Sequence, residues 1–142
     1  MKTVHRIAAA LAATLCAAAL SAAAAEPAYG QREFRTRCAM CHGAAARGDG
    51  WLAEYLIQRP PSLRALKKNN GGIFPREQIA RIIDGRTYVN AHGPSEMPAW
   101  GTVYKSEIEV AAGGRRGVRE EDEVNISYRI QALIEYLATV QD

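Results

Sequence analysis

Cys38, Cys41 and His42 stand together in the run CAMCHG. Two thiols three residues apart, with an imidazole directly after the second, can serve three chemistries. In an oxidising compartment the pair can close as a redox disulfide, but that use goes with a neighbouring βαβ pattern, and none is legible. The thiols can instead supply half of a zinc site completed by His42 and His92, although directly adjacent cysteine and histidine ligands suit tetrahedral geometry poorly. The spacing C-x-x-C-H is also the signature of covalent haem attachment. On a helical turn, residues three apart share a face and lie about 4.5 Å apart along the axis. Each thiol can then bond one vinyl arm of a porphyrin, and the next residue projects its imidazole toward the iron.

An iron held by His42 needs an occupant or an opening on its other side, and methionine or histidine are the usual protein donors. The sequence holds three methionines. Met1 falls in the leader described below. Met40 lies two residues from His42, too close along the chain to carry its sulfur round a porphyrin. Met97 remains, 55 residues beyond His42, in a loop flanked by Pro94 and Pro98. Prolines on both sides stiffen such a loop, which suits holding a weak thioether bond. The plainer alternative for Met97 is a core gap-filler. His92, five residues before Met97, is the rival donor, with a solvent-facing loop histidine as its plainer reading.

The N-terminal residues read as an address. Lys2 and Arg6 precede the apolar run IAAALAATLCAAALSAAAA, which ends in Ala23-Ala24-Ala25 just before Glu26. This is a signal-peptide pattern with a small-residue cleavage site over residues 1–25. A membrane anchor is the competing reading, since the run is long enough to span a bilayer; its alanine content and its cleavage pattern favour removal. Cys16 would leave with the leader, so Cys38 and Cys41 would be the only cysteines kept. A C-x-x-C-H run placed directly behind an export signal favours haem attachment over the two other chemistries.

Cleavage of 25 of the 142 residues would leave 117, enough for one domain over 26–142. A core of that size is limited and gains from a bulky apolar cofactor. The leader carries Lys2 and Arg6, so sixteen of the eighteen basic residues would face fifteen acidic ones. A charge near +1 is no nucleic-acid surface.

The elements that must position these residues read as helices. Ala28 to Met40 is expected as a short helix with Gly30 and Phe34 on one face. Gly43 to Gly50 is a small-residue loop, and WLAEYLI is a short helical segment stopped by Pro60-Pro61. Pro75 opens a helix with Ile79, Ile82 and Ile83 on a stripe and Gly85 at its end. The text from Arg86 to about Trp100 is loop-like. A final helix carries Ile126, Ile130, Leu133, Ile134 and Leu137 at helical spacing, with acids from Glu120 to Glu123 at its start. No stretch alternates like a half-buried strand, so the expected class is all-α with long loops.

With CAMCHG near the mature N-terminus and MPAWG before the final helix, the chain resembles the small class I c-type cytochromes of bacterial periplasms, over most of residues 28–142. The resemblance implies three to five helices wrapped around one haem c, covalent through Cys38 and Cys41, with His42 proximal and Met97 distal. It further implies that Gly30 and Phe34 on the first helix pack against Leu133 and Tyr136 on the last. By the same resemblance, the Pro61 carbonyl accepts the His42 Nδ1–H, Leu63 lies against the porphyrin and Trp100 lies near the haem. Small members have a short connection after MPAWG. This chain carries TVYKSEIEVAAGGRRGVREEDE instead, expected as a solvated loop leading into the last helix. Arg115, Arg116 and Arg119 before four acids offer a docking surface as the alternative.

The function so implied is one-electron transfer rather than enzymatic catalysis. Its partners would be redox proteins: a dehydrogenase or quinol-oxidising complex on one side and a terminal acceptor such as an oxidase on the other. No nucleic acid and no stable membrane insertion after cleavage are expected. Two other functions stay open, a subunit bound stably to a periplasmic dehydrogenase and a ligand-binding or peroxidatic haem protein in which Met97 detaches.

Overall fold

The computed structural model describes residues 28–86, 96–114 and 116–142. The described residues contain helices and no strands, as the apolar periodicity requires: α1 (residues 28–37), α2 (Ala39–His42), α3 (Leu66–Asn69), α4 (Arg76–Asp84), α5 (Trp100–Ala111) and α6 (Glu120–Thr139). Short 3-10 turns cover Ala53–Tyr55 and Leu63–Ala65. The leader, Cys16, His92, Pro94 and Arg115 lie outside the described residues.

The central element is α6. Ile126, Ile130, Leu133, Ile134 and Leu137 are all buried, as their spacing predicts, and Tyr136 joins them. Each such side chain contributes about 1.5–3 kcal/mol on burial, so this stripe outweighs any local preference. The helix start is built from charge. Glu120, Glu121, Asp122 and Glu123 fill the first turn, and the Asp122 carboxylate accepts the Arg119 backbone N–H at 2.9 Å. Acids placed there satisfy an otherwise unpartnered amide and meet the positive end of the helix dipole.

On α4, Ile79 and Ile83 are buried, whereas Ile82 is 45% exposed. The helix ends at Gly85, which takes the left-handed conformation at φ 68° and donates its N–H to the Arg81 carbonyl at 3.0 Å. The expected stripe is therefore narrower than three isoleucines.

Residues 28–40 are not one run. Helix α1 turns at Cys38, and the backbone then continues as α2 as far as His42, where Gly43 ends it. The pairing of first and last helix holds: the Phe34 and Tyr136 rings lie 5.3 Å apart, and both are buried with Leu133. WLAEYLI keeps a single 3-10 turn, because only Ala53 in it finds burial; Trp51, Tyr55 and Ile57 are exposed.

The largest correction concerns the residues after MPAWG. As far as Ala111 they form α5, not a solvated loop, and α5 packs on both α4 and α6; residues 112–114 and 116–119 lie outside any helix and lead into α6, as expected. Tyr104 is fully buried, Gly101 is buried, and Trp100 and Ile108 pack against the core. Positions 100, 104 and 108 recur every four residues, which is a helical stripe. Thr102, Val103, Ile108 and Val110 are β-branched and favour helix weakly. Tertiary contact therefore decides the state of this segment.

Candidate functional site

The cysteine pair stands where α1 passes into α2. The Cys38 amide donates to Phe34 O at 2.9 Å, and the amides of Cys41 and His42 both donate to Cys38 O, at 3.1 and 2.9 Å. These bonds place both thiols and the imidazole on one helical turn. They line a cavity of about 580 Å³, within the range of small-molecule and cofactor sites. Its second wall is the segment from Leu56 to Pro61, and its third holds Glu96, Met97, Pro98 and Trp100.

The loop between the first two walls is held by backbone contacts. Ala46 is fully buried, and its carbonyl accepts the Leu63 N–H at 2.9 Å. Gly48, at φ 78°, lies so close to the Pro60 carbonyl that no Cβ fits between them. Glycine is needed there on both counts.

The wall carrying Met97 is anchored through α5. Gly101 in its first turn lies against the Asp84 carboxylate and the Arg86 guanidinium with no space for a Cβ. Arg86 in turn bonds Asp84 at 2.7 Å and Glu123 at 2.8 Å, joining the ends of α4 and α6 at this point. The Trp100 ring rests 5.9 Å from that of buried Tyr104.

Burial sets the chemistry of the first wall. The Cys38 thiol is pushed up to about 12 by burial, with the Glu33 carboxylate and Cys41 adding to the shift and Arg37 opposing it. It is thus a protonated thiol at neutral pH rather than a thiolate. Burial holds the His42 pKa below its ordinary value, so the imidazole is kept neutral, the form that donates to a metal.

The sequence-predicted residues divide. Cys38, Cys41, His42, Pro61, Met97 and Trp100 all line the cavity. Leu63 does not: it opens the 3-10 turn that directs it to the core, where it is partly buried. The expected bond from His42 Nδ1 to the Pro61 carbonyl is also not formed, and Nδ1 is buried with no hydrogen-bond partner among the described residues. The segment before Leu63 is fixed by Gly48 and Ala46 instead, which settles its position independently of the imidazole. Among the described residues, no cluster of three or more His, Cys, Asp and Glu side chains gathers to hold a metal; the zinc reading would require His92, outside them.

Arg37 and Glu96 are among the lining residues that the sequence did not mark. Arg37 lines the cavity beside Cys38 and pairs with Glu107 at 2.6 Å. Glu96 lines it beside Met97 and bonds back to residues 57 and 58. Neither belongs to a motif, and each takes its place only because distant segments meet.

The donor set fits haem c: two thiols on one turn, a neutral imidazole next to them, and a thioether on a separate wall of the same cavity. A family model described as cytochrome C oxidase, cbb3-type, subunit III, matches residues 25–112, more than half of the chain. No curated protein and no solved structure matches. The family implies a covalently bound haem c and haem-based electron transfer with redox partners, and no helix among the described residues is long and apolar enough to cross a membrane. With its C-x-x-C-H turn, its all-helical frame and that match, the chain belongs to this family of class I c-type cytochromes.

Proposed function

We propose that the chain is an exported, periplasmic one-electron carrier whose haem c is held by Cys38, Cys41, His42 and Met97, passing electrons from a dehydrogenase or quinol-oxidising complex to a terminal acceptor. The observation that carries this reading is the meeting of His42 and Met97 in one cavity with both thiols, although the two are 55 residues apart in the chain. Bound haem supplies ferric/ferrous exchange of a single electron. Cys38 and Cys41 would tether it, which prevents loss outside the cell. His42 would donate from one side, kept neutral by its burial. Met97 would close the other side, leaving no open position for oxygen or peroxide and so disfavouring the peroxidatic alternative. A soft thioether paired with imidazole, in an apolar cavity, favours the reduced state and hence a fairly high potential.

The leader pattern over residues 1–25 supports export. A second reading is supported by the family's description, which is that of an oxidase subunit: the chain would then be held stably in a larger redox complex. Stable binding to a dehydrogenase through the segment after MPAWG would use its outward faces, because the core-facing stripe of α5 is used within the chain.

The test is a far-red absorption scan of the oxidised holoprotein. A weak sulfur-to-iron charge-transfer band is expected, and its persistence in Met97→Ala would show that another residue ligates. Retention of the wild-type spectrum by His92→Ala is expected; a large shift would make His92 the ligand. Size-exclusion of material from the native source separates the readings: a monomer at every step supports the carrier, and co-elution with an oxidase supports the subunit.

A further inference from the structure

Glu96 precedes Met97, and both line the cavity. The Glu96 side chain does not trail in solvent. Its Oε1 accepts the Ile57 backbone N–H at 3.0 Å, and its Oε2 accepts that of Gln58 at 3.1 Å. Ile57 and Gln58 belong to another wall of the same cavity and sit in a bend outside any helix. Ile57 is 98% exposed, so its side chain contributes almost no burial to hold that wall. A carboxylate shared between two consecutive amides is a directional tie, and each bond is strengthened by the full charge.

Met97 is therefore bracketed. On one side stand the two bonds of Glu96; on the other, Pro98 restricts the backbone before α5 begins at Trp100. We propose that Glu96 is a positioning residue for Met97, latching the Met97 wall to residues 57 and 58 at the solvent-facing edge of the cavity. The latch keeps the thioether in place and slows entry of outside ligands. It rests on the reading of Met97 as the second axial ligand.

The experiment uses oxidised holoprotein and cyanide as the probe ligand. Glu96→Ala should take up cyanide about tenfold faster than wild type, the scale expected when hydrogen bonds to one charged group in water are lost. Exchange of the Ile57 and Gln58 amides should quicken in the same protein. Glu96→Gln keeps one acceptor oxygen and should fall between the two. In a Met97→Ala background, uptake should already be fast, and Glu96→Ala should add nothing, because the latch acts through Met97. Wild-type cyanide uptake in Glu96→Ala, alongside fast uptake in Met97→Ala, would overturn the latch and leave the ligand assignment standing. Wild-type uptake and an intact far-red band in Met97→Ala would overturn the ligand assignment and the latch with it.

Discussion

Gly30 on α1 sits directly against the backbone of Ala132 on α6. A Cβ at Gly30 would overlap the Ala132 carbonyl oxygen, fall 2.6 Å from the carbonyl carbon and meet the Tyr136 Cβ at 3.0 Å. The obstacle is mostly backbone, which cannot swing aside as a side-chain end can. Gly30→Ala gains about 1 kcal/mol of helix propensity, but overpacking of a tight contact costs about 3 kcal/mol. The loss should win. Urea unfolding of the holoprotein is expected to show a net destabilisation of about 2 kcal/mol, and an unchanged or raised midpoint would mean that the helices can separate freely.

Arg129 on α6 joins three elements. Its guanidinium lies 3.7 Å over the Tyr104 ring of α5, bonds Glu33 of α1 at 2.5 Å and bonds Glu107 of α5 at 3.0 Å. The Arg129 and Glu33 side chains are only 13% and 11% exposed. Removing one member leaves nearly buried charge uncompensated, which costs about 3 kcal/mol. Arg129→Met should therefore be strongly destabilising, and Arg129→Met with Glu33→Gln should recover part of the loss. Chemical unfolding of both variants checks this, and equal midpoints for the two would show that Glu33 is not the group left stranded.

Acid should weaken the start of α6. The Arg116 side chain, with help from the Arg119 backbone N–H, holds the Asp122 carboxyl below its ordinary value of 3.8. A depressed folded pKa means stability that is present above pH 3.8 and is lost as pH falls through the lower, folded value. Glu135, held down chiefly by Arg76, and Asp142, held down chiefly by Arg64, act in the same direction. Wild type should lose more stability than Asp122→Asn between about pH 5 and about pH 2. Unfolding midpoints across that range test the claim, and parallel curves would refute it.

Met97→Ala should lower the reduction potential and allow the reduced protein to bind carbon monoxide, which wild type should refuse at neutral pH. Thioether favours the reduced metal, and its removal opens a coordination position. Potentiometry and a carbon monoxide difference spectrum measure the two effects. A variant that keeps both wild-type properties would place the second donor elsewhere.

Much of this protein is written locally. The C-x-x-C-H turn is legible because its chemistry needs neighbours in sequence, and α6 is legible because five apolar residues keep one period over three turns. MPAWG marks the third wall because it matches the family's second signature. What the sequence by itself could not determine is where separated segments meet. The helical state of α5 depends on Tyr104 finding a buried place under the Arg129 guanidinium of α6, since its β-branched residues give little local preference for helix. Leu63 turns to the core, and Pro61 stays apart from His42 Nδ1, because the loop at Ala46 and Gly48 sets the path of that segment. The Glu96 tie joins residues 38 and 39 positions apart. Such contacts follow from the folded geometry of several elements at once, and no periodicity or spacing in one of them encodes the others.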